Sequence, residues 1–573
     1  MGLNGLASCG VEALTNLESS VRIVQQCLPH LPTGSPAWGQ ALLSEANARR
    51  ILARENVRSA DNGGRARDLY GILLSGADAS LSGPLLFGQA EAYLALSEAG
   101  LEQEANLSEA IARYTRARET LSPDNTTFQM ALRQERIARY ALADFGVDLE
   151  ANLKAILSIC RHLRHGLAPE SIEYCREMVS EADGLRQLAE YASAPVEKLR
   201  ASIEMFTQAR VWLDHSLAEY QFAMIHEGFA HLRLAQHGIQ PQANLQTSID
   251  LCQQARLLED RPRNMGLAFM NEASCRTALG DQGHDPLANI QTAISLFREA
   301  RRYLSGSIDF GLCLQNEGTA WIALAGLGVS PTANLKQAIS LLQQARQSLD
   351  SQSTSLAYVQ ADEAVARTHL ADLGVDPTEN YRHVIDLCRE SRSRLSRNGY
   401  GHGRSLLQEG AALQGLSNLG IDPLPNLRAS LNHFIEAAKT LEPGSLDFAR
   451  ALLTVAETLR QLAELGVEPK TNLMQARKVC RLAREHLTPG TSFYGSSLVN
   501  EGLALWEMAQ ADEESGALLR EAQQSFHASR PHYRVLLTKR KKSYVKRPRA
   551  SVAGGIRLAR PACSAARCSR RSG

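Results

Sequence analysis

Hydrophobic positions follow the 3.6-residue period of an amphipathic helix through most of the chain. In NIQTAISLFREAR, residues 289–301, the apolar side chains stand one, four, five, seven, eight and eleven positions after Asn289. A longer helical pattern precedes this shorter one in each unit, and residues 355–374 are an example of it. The alternation predicts an all-α chain built from antiparallel helical hairpins.

A short motif between the two helices returns at a nearly constant interval. LGVDPTENY at 373–381 recurs as LGVSPTANL from 327, LGIDPLPNL from 419 and LGVEPKTNL from 465. Its asparagine serves as a marker, and successive markers lie 44 to 46 residues apart, with Lys198 in the slot once. This period predicts one α-solenoid of about eleven hairpins over residues 1–530, not a set of separate globular domains. The markers are Asn16, Asn62, Asn106, Asn152, Asn244, Asn289, Asn334, Asn380, Asn426 and Asn472.

We call the turn between the two helices of a hairpin the elbow. Gly374 illustrates the residue six before the marker, which is Gly in most units and Asn56 in the second. Both residue types tolerate the left-handed conformation that ends a helix. Asp376 and Pro377 then offer a cap and a first helical residue, although the marker Asn380 could itself be the N-cap.

Small and aromatic residues within each unit resemble the pattern of tetratricopeptide repeats. The second helix carries A-x3-F-x2-A or a close form of it, and the first helix carries a small residue near its middle. The period of 46 exceeds the 34 residues of that family, so the chain resembles an extended variant. The resemblance implies a right-handed superhelix, with first helices lining a concave groove that binds proteins or peptides. The matching residues include Ala293, Phe297 and Ala300 in one second helix, and Gly228, Gly318, Gly410 and Gly502 in first helices.

Charged residues also keep fixed places within the unit. Glu stands seventeen residues before most markers, Arg stands twelve residues after them, and the midpoint between the two lies in the elbow. We therefore expect each Glu to meet the Arg of its own hairpin, as Glu363 would meet Arg392, in a partly buried ion-pair ladder that fixes hairpin register. The alternatives are side chains that reach into the groove and solvated helix faces. The expected pairs, in chain order, are Glu135 and Arg164, Glu181 and Arg210, Glu227 and Arg256, Glu272 and Arg301, Glu317 and Arg346, Glu363 and Arg392, and Glu501 and Arg530.

The tetratricopeptide-like arrangement also implies which residues face the groove. The positions beside the small residue of each first helix hold apolar side chains in the middle units and mostly basic ones further on. Such a surface suits an extended or helical peptide with an apolar anchor and a few carboxylates. Alternatively, the aromatic residues belong to ordinary core between repeats. The candidate groove residues are Phe222, Phe229, Leu232, Leu267, Tyr358, Arg404, Arg450 and Arg460.

Charge is distributed unevenly along the chain. The formal net charge is +1, but residues 538–573 hold 12 Lys and Arg with no Asp or Glu, which leaves −11 on the remainder. Residues 531–573 are basic, of low complexity and poor in large apolar side chains, so we expect a disordered tail. That tail could bind nucleic acid or an acidic partner, or it could be a solvated extension without a role.

Motifs for chemistry are scarce. HEGFAH at 226–231 resembles a zinc-protease motif, but a five-residue spacing does not place both histidines on one helix face. Eleven cysteines occur without a CxxC pair, and Cys160, Cys252, Cys388 and Cys480 share one position in the unit, which indicates small core residues in a reducing cytosol. We expect no cofactor, no metal and no enzyme activity. Without an 18-residue apolar stretch or a leader, the chain is expected to be soluble and cytoplasmic, without a membrane partner.

The function expected from these observations is a scaffold or adaptor that binds a protein or peptide. A second class is a nucleic-acid-associated protein that uses the basic tail. A third is the regulatory partner of a separately encoded signalling enzyme.

Overall fold

The computed structural model describes residues 13–77, 79–190, 194–258, 261–307, 309–349, 354–395, 397, 400–443, 445–487, 489, 491–510 and 516–543. Within these ranges the chain forms 23 α-helices, a short 3₁₀ helix at Leu28–His30, and no strand. The predicted all-α class is confirmed. The helices are α1 (Ala13–Cys27), α2 (Pro36–Arg54), α3 (Ser59–Ser75), α4 (Ala79–Glu98), α5 (Gln103–Thr120), α6 (Thr126–Asp144), α7 (Leu149–His165), α8 (Ile172–Leu188), α9 (Pro195–Trp212), α10 (Ala218–Gln236), α11 (Pro241–Arg256), α12 (Pro262–Asp281), α13 (Pro286–Leu304), α14 (Asp309–Gly326), α15 (Pro331–Ser348), α16 (Thr354–Asp372), α17 (Pro377–Arg392), α18 (Tyr400–Asn418), α19 (Pro423–Thr440), α20 (Leu446–Glu464), α21 (Pro469–Glu485), α22 (Ser492–Gln510) and α23 (Gly516–Ser543).

The helices pair in chain order as the repeat predicts. Even-numbered helices are the first helices of hairpins and odd-numbered ones are the second helices, while α1 has the sequence position of a lone second helix. The chain divides into two compact units, unit 1 through Leu441 with α1 to α19 and unit 2 from Glu442 with α20 to α23. Within each unit, every first helix packs on its own second helix and on the second helix before it.

First helices of successive hairpins also touch one another along most of unit 1, and α20 touches α22 in unit 2. The described second helices of successive hairpins show no comparable packing. The first helices are therefore closer together, which places them on the inner side of the curve within each unit. We call the solvent-facing side of the first helices the inner face.

The elbows that the structure describes in full use two left-handed residues, one of them unexpected. Gly374 has φ +79° and ends α16, and the glycines at this place in other elbows have φ between +75° and +84°. Asp376 has φ +42° and is left-handed as well, although its side chain caps nothing. Asp376 and Pro377 are therefore the N-cap and the first helical residue, as expected, but the Asp side chain does not cap the helix. The same left-handed residue precedes the second helix at Arg58, Glu102, Asp148, Ala194, Gln240, Asp285, Ser330, Asp422 and Glu468.

The marker asparagine is not the N-cap. It lies in the first turn of the second helix, and its Nδ2 donates a hydrogen bond to the elbow carbonyl five residues earlier, as Asn380 does to Val375 at 2.9 Å. An otherwise unsatisfied elbow carbonyl thereby gains a partner. The same bond, between 2.7 and 2.9 Å long, is made by Asn62, Asn106, Asn152, Asn244, Asn289, Asn334, Asn426 and Asn472.

In two hairpins an aromatic ring of the second helix packs directly against a glycine of the first helix. Phe434 is fully buried, and a Cβ added at Gly410 would lie 2.6 Å from its ring. A Cβ at Gly502 would lie 2.8 Å from the ring of Phe526. Side chains larger than Gly would collide at these positions. The chain is therefore a tetratricopeptide-like α-solenoid, and the resemblance seen in the sequence is confirmed for the fold.

The last helix extends further than the sequence predicts. α23 continues beyond Arg530 to Ser543, with Pro531 inside it, so the first residues of the segment assigned to the tail are helical. The remainder of the expected disordered tail lies outside the described residues. No described helix is both long enough and apolar enough to cross a membrane.

Candidate peptide-binding groove

The Glu and Arg columns form ion pairs, but one hairpin away from the expected register. Glu363 meets Arg346 of the preceding hairpin at 3.1 Å, and Arg392 meets Glu409 of the following one. The proposed pairing of Glu363 with Arg392 is therefore wrong. We call this contact between successive hairpins the seam. Its other pairs are Arg118 with Glu135 at 2.8 Å, Arg164 with Glu181 at 2.8 Å, Arg210 with Glu227 at 2.8 Å, Arg256 with Glu272 at 2.5 Å, Arg301 with Glu317 at 2.9 Å, and Arg484 with Glu501.

Each seam carboxylate has several donors, and at Glu363 they come from two hairpins. Arg346 binds Oε2 of Glu363, while Gln343 from the same second helix and Arg367 one turn further on both donate to Oε1, at 3.4 and 2.9 Å. The nine seam Glu residues, from Glu45 to Glu501, are at most 4% exposed. Several donors per carboxylate make that burial tolerable, because a buried charge without partners would be strongly destabilising.

The seam is also connected to the elbow in three hairpins. Arg367 binds Glu363 and also donates from Nη1 to Oδ1 of Asn380 at 3.3 Å, and Asn380 in turn holds the elbow carbonyl. Arg49 and Arg139 likewise bind a seam carboxylate and the marker asparagine of their hairpin, whereas His231, at the same position, binds Asn244. The sequence signal was the four-residue spacing from Glu to Arg, which the sequence analysis missed.

The Glu and Arg columns are both interrupted where the chain divides into its two units. The ladder positions on either side of the division at 441 hold the uncharged residues Ala438 and Val455. At the other end of unit 2, Glu501 is bound by Arg481 and Arg484, whereas Arg530, its expected partner, is exposed.

On the inner face of α10, two of the predicted groove residues form an aromatic cluster with a histidine. The ring of Phe222 stacks on His226 with centroids 3.8 Å apart, and Phe229 lies 5.8 Å from the same histidine. Phe222 and Phe229 are both half-buried. Arg186 of α8 lies over Phe229, 5.8 Å from the ring centroid. We call Phe222, His226 and Phe229 the aromatic cluster.

A charge network from α8 fixes this cluster. Nδ1 of His226 lies 2.9 Å from Oδ1 of Asp183, and Arg186 binds the same carboxylate at 2.8 Å. Desolvation, together with the nearby guanidinium of Arg186, lowers the pKa of His226 although Asp183 raises it. Desolvation opposes ionisation of Asp183, but Arg186 and His226 together lower its pKa well below the usual range. The cluster therefore rests on an ionised carboxylate and keeps an imidazole that resists protonation.

Two other predicted groove residues lie in the core. Leu232 is 5% exposed and packs with Leu245 and Ile249, and Leu267 is 6% exposed within the cluster around Phe297. Neither side chain can contact a ligand on the inner face without rearrangement. The physical reason is that both point into the space between hairpins, which the sequence pattern does not separate from the inner face.

The C-terminal part of the predicted groove in unit 1 lies on α16 and α18. Tyr358 is 38% exposed on α16, and Asp362, one turn later, accepts a hydrogen bond from Nε2 of Gln315 at 2.7 Å. Arg404 of α18 lowers the pKa of both Tyr358 and Asp362, although burial raises each of them by more. The structure thus places the aromatic ring, the carboxylate and the guanidinium near one another.

Residues from distant hairpins face this region. Glu190 of the segment after α8 forms an ion pair of 2.7 Å with Arg233 of α10. Both act on the charge state of Tyr358, Glu190 raising its pKa and Arg233 lowering it, although they precede it by three hairpins or more. Charged groups interact over a few ångströms to about 10 Å. Glu190 and Arg233 therefore lie near enough to Tyr358 to affect its ionisation.

The two predicted groove residues of unit 2 differ in their surroundings. Arg450 is exposed. Arg460 is held by Glu464 and, at 2.5 Å, by Glu507 of α22, and the hydrogen bonds and charges of these carboxylates raise its pKa against desolvation. The positive charge of Arg460 is therefore already compensated by two carboxylates of the protein.

The histidines of the HEGFAH segment bind partners within the protein, and the four cysteines of the repeat are buried. His226 and His231 of the HEGFAH segment bind Asp183 and Asn244, and the described residues contain no cluster of three His, Cys, Asp or Glu able to hold a metal. Cys160, Cys252, Cys388 and Cys480 are fully buried, and burial raises the pKa of Cys388 to about 12. These thiols act as core residues.

Comparison with known proteins gives matches at the level of structure only. No family model matches the chain, and no curated protein matches its sequence. The structure of a human IFIT1 dimer with PPP-AAAA is similar, with 11% identity, a TM-score of 0.40, and coverage of 89% of this chain and 93% of that one.

Two further solved structures are similar over much of their length. The P58(IPK) TPR domain is 14% identical and has a TM-score of 0.21, and the match covers 73% of this chain and 99% of that one. Naa15/Naa10 bound to HypK-THB is 13% identical and has a TM-score of 0.26, with coverage of 93% and 76%. These scores are low, so the tetratricopeptide-like fold rests on the helix packing described above.

Proposed function

We propose that the chain is a protein-interaction scaffold and that the inner face of unit 1 binds a peptide segment of its partner. The observation that carries this proposal is the aromatic cluster on α10, where Phe222 and Phe229 pack against the core on one side but remain only half-buried. Aromatic side chains on a concave surface contribute a large part of the binding energy in protein interfaces.

The surroundings of the cluster support a binding role. Asp183 and Arg186 hold His226 and Phe229 from the neighbouring hairpin, so the rings are ordered before a ligand arrives. Ordered anchors reduce the conformational entropy that binding would otherwise cost. The proposed ligand is an extended or helical peptide with an apolar anchor residue that packs against Phe222 and Phe229.

The test is a selection of random 12-residue peptides displayed on phage against the immobilised full chain. Enriched peptides are then synthesised with a fluorophore and titrated by fluorescence anisotropy. Replacing Phe222 by Ala should weaken their binding at least about tenfold, because anchor residues contribute more than 1.4 kcal/mol. The control Leu257→Ala changes a side chain that is 82% exposed directly after the second helix α11 and should leave the affinity unchanged.

Circular dichroism must show that both variants keep the helical content of the wild type. Phe222→Leu provides a second, milder variant, since it keeps an apolar side chain and removes only the ring. Failure to enrich any peptide would contradict the proposed function, as would peptides that bind the Phe222 and Leu257 variants equally well.

A further inference from the structure

Asp362 differs from the other carboxylates that lie between helices of unit 1. Its only hydrogen bond comes from the neutral amide of Gln315, at 2.7 Å, and it forms no ion pair with any described residue. By contrast, Asp183 on α8 is held by Arg186 and His226, and Glu363, the next residue along α16, is held by Arg346 and Arg367. Asp362 thus carries a charge for which the described protein supplies no directly bonded cation.

This carboxylate also lies where water hydrates it poorly. Burial raises the pKa of Asp362, and the lowering effects of Arg404 and of the hydrogen bond from Gln315 do not outweigh that rise. A carboxylate in such a place costs free energy as long as it has no cationic partner, and it gains correspondingly when one arrives. Its side chain is not fully covered, which leaves an approach for a ligand from the inner face.

An exposed aromatic ring lies beside it. Tyr358 precedes Asp362 by one helical turn, so the two side chains share a face of α16, and the ring is 38% exposed. A cation that binds the carboxylate can therefore also contact an aromatic face, which adds about 0.5–2 kcal/mol in other proteins. Glu190 adds a second negative charge near Tyr358, and Arg233 partly offsets it.

We propose that Asp362 and Tyr358 form a subsite for a positively charged side chain, Lys or Arg, of the bound peptide. The proposal rests on the proposed function, since it assigns one position of the same ligand. Asp362 is the ion-pair partner and Tyr358 supplies the aromatic face. The net charge of −11 outside residues 538–573 favours the approach of a basic segment. This ligand differs from the carboxylate-bearing peptide that the basic side chains of the sequence suggest.

The experiment repeats the phage selection with two proteins, the wild-type chain and Asp362→Asn. Asn keeps the shape of the side chain and an oxygen that can accept the bond from Gln315, so the variant should fold as the wild type does. Peptides enriched on the wild type should share a Lys or Arg at a fixed distance from their apolar residue. That preference should disappear on Asp362→Asn, and the affinity of wild-type-selected peptides should fall about tenfold or more.

A matched control and a substituted peptide make the result specific. Glu299→Gln removes a carboxylate on the second helix α13 that is 41% exposed, and it should leave the affinity unchanged. Replacing the Lys or Arg of a selected peptide by Met should weaken binding to the wild type but not to Asp362→Asn. Tyr358→Leu should cause a smaller loss than Asp362→Asn.

The outcomes separate this inference from the proposed function. Enriched peptides that need Phe222 but show no preference for Lys or Arg would overturn the subsite and leave the proposed function standing. Equal affinities for the wild type and Asp362→Asn would also overturn it. If no peptide is enriched, both proposals fail together.

Discussion

The seam and the inner face both include residues of the first helices. The residues at the seam are nearly the same in every hairpin, whereas the residues on the inner face differ from hairpin to hairpin. At the seam, nearly every hairpin repeats one buried Glu with an Arg from the hairpin before it, as in Arg346 with Glu363. On the inner face, Phe222 on α10 and Asp362 on α16 have no such copies in other hairpins. A residue that recurs in each unit serves the structure that all units share, whereas one that differs from unit to unit is available for specific recognition.

The largest expected effect comes from breaking the seam. Replacing Glu363 by Ala leaves the buried ends of Arg346 and Arg367 without their carboxylate, and it should destabilise the protein by about 3–5 kcal/mol. The measurement is the midpoint of urea unfolding followed by circular dichroism. A cost below about 1 kcal/mol would mean that the seam charges are solvated and do not hold the hairpins together.

A double-mutant cycle sharpens the same point by testing the register. Arg346→Met combined with Glu363→Gln should show a coupling free energy of about 0.5–3 kcal/mol, because the two groups are in contact. Arg392→Met combined with Glu363→Gln should be nearly additive, since Arg392 binds Glu409 instead. If instead Arg392 and Glu363 were coupled, and Arg346 and Glu363 were additive, Glu363 would pair with the Arg of its own hairpin.

An intermediate effect on stability is expected at Gln360, a polar residue at a core position where the neighbouring hairpins have Leu. It is fully buried, and neither of its amide atoms has a hydrogen-bond partner within the described structure. Leu314 and Leu406 hold the equivalent place in the neighbouring hairpins and are buried. Gln360→Leu should therefore stabilise the protein by about 1–3 kcal/mol, because a buried polar group without partners is removed.

The measurement for Gln360→Leu is again the urea midpoint, together with amide hydrogen exchange in α16. The control Leu314→Gln makes the opposite change in the preceding hairpin and should destabilise the protein. Loss of stability in Gln360→Leu would show that its amide has a partner in solution. If Gln360→Leu is more stable but binds peptides as the wild type does, Gln360 affects stability only, unlike Asp362 on the same helix.

The smallest effect is expected at the elbows. Glu102 has φ +34°, a conformation that costs an ordinary residue about 1–2 kcal/mol and Gly almost nothing. Glu102→Gly should stabilise the protein by about 0.5 kcal/mol once the greater freedom of Gly in the unfolded chain is subtracted. Glu104→Gly, two residues later inside α5, should instead destabilise it by up to about 1 kcal/mol. Thermal unfolding midpoints that move in the same direction for both variants would contradict the role of the left-handed backbone.

Much of the fold could be predicted because the repeat fixes local structure many times over. The 3.6-residue period, the left-handed Gly374 and its equivalents, and the small residue opposite an aromatic ring each depend on neighbours a few residues away or on one hairpin partner. The role of Asn380 was not predictable in the same way, because Asn is a good N-cap and also a good donor to a carbonyl.

The register of the seam could not be derived from spacing. The midpoint between Glu363 and Arg392 lies near an elbow, but the midpoint between Arg346 and Glu363 lies at the end of the loop that joins two hairpins. Both arrangements bring antiparallel helices together, so symmetry alone does not distinguish them. The candidate groove has a similar difficulty, since Leu232 and Phe229 stand three residues apart on α10, and small differences in helix rotation decide which of them is buried.

The direction of the seam has a consequence for how the protein is made. In every described seam pair the Arg comes before its Glu in the chain, as Arg346 comes before Glu363. During synthesis, which proceeds from the N-terminus, the Arg of each pair leaves the ribosome before the Glu that must be buried. The Arg is therefore already available when its Glu packs against the preceding hairpin. The growing chain can add one helix at a time to the folded part without burying an unpaired charge.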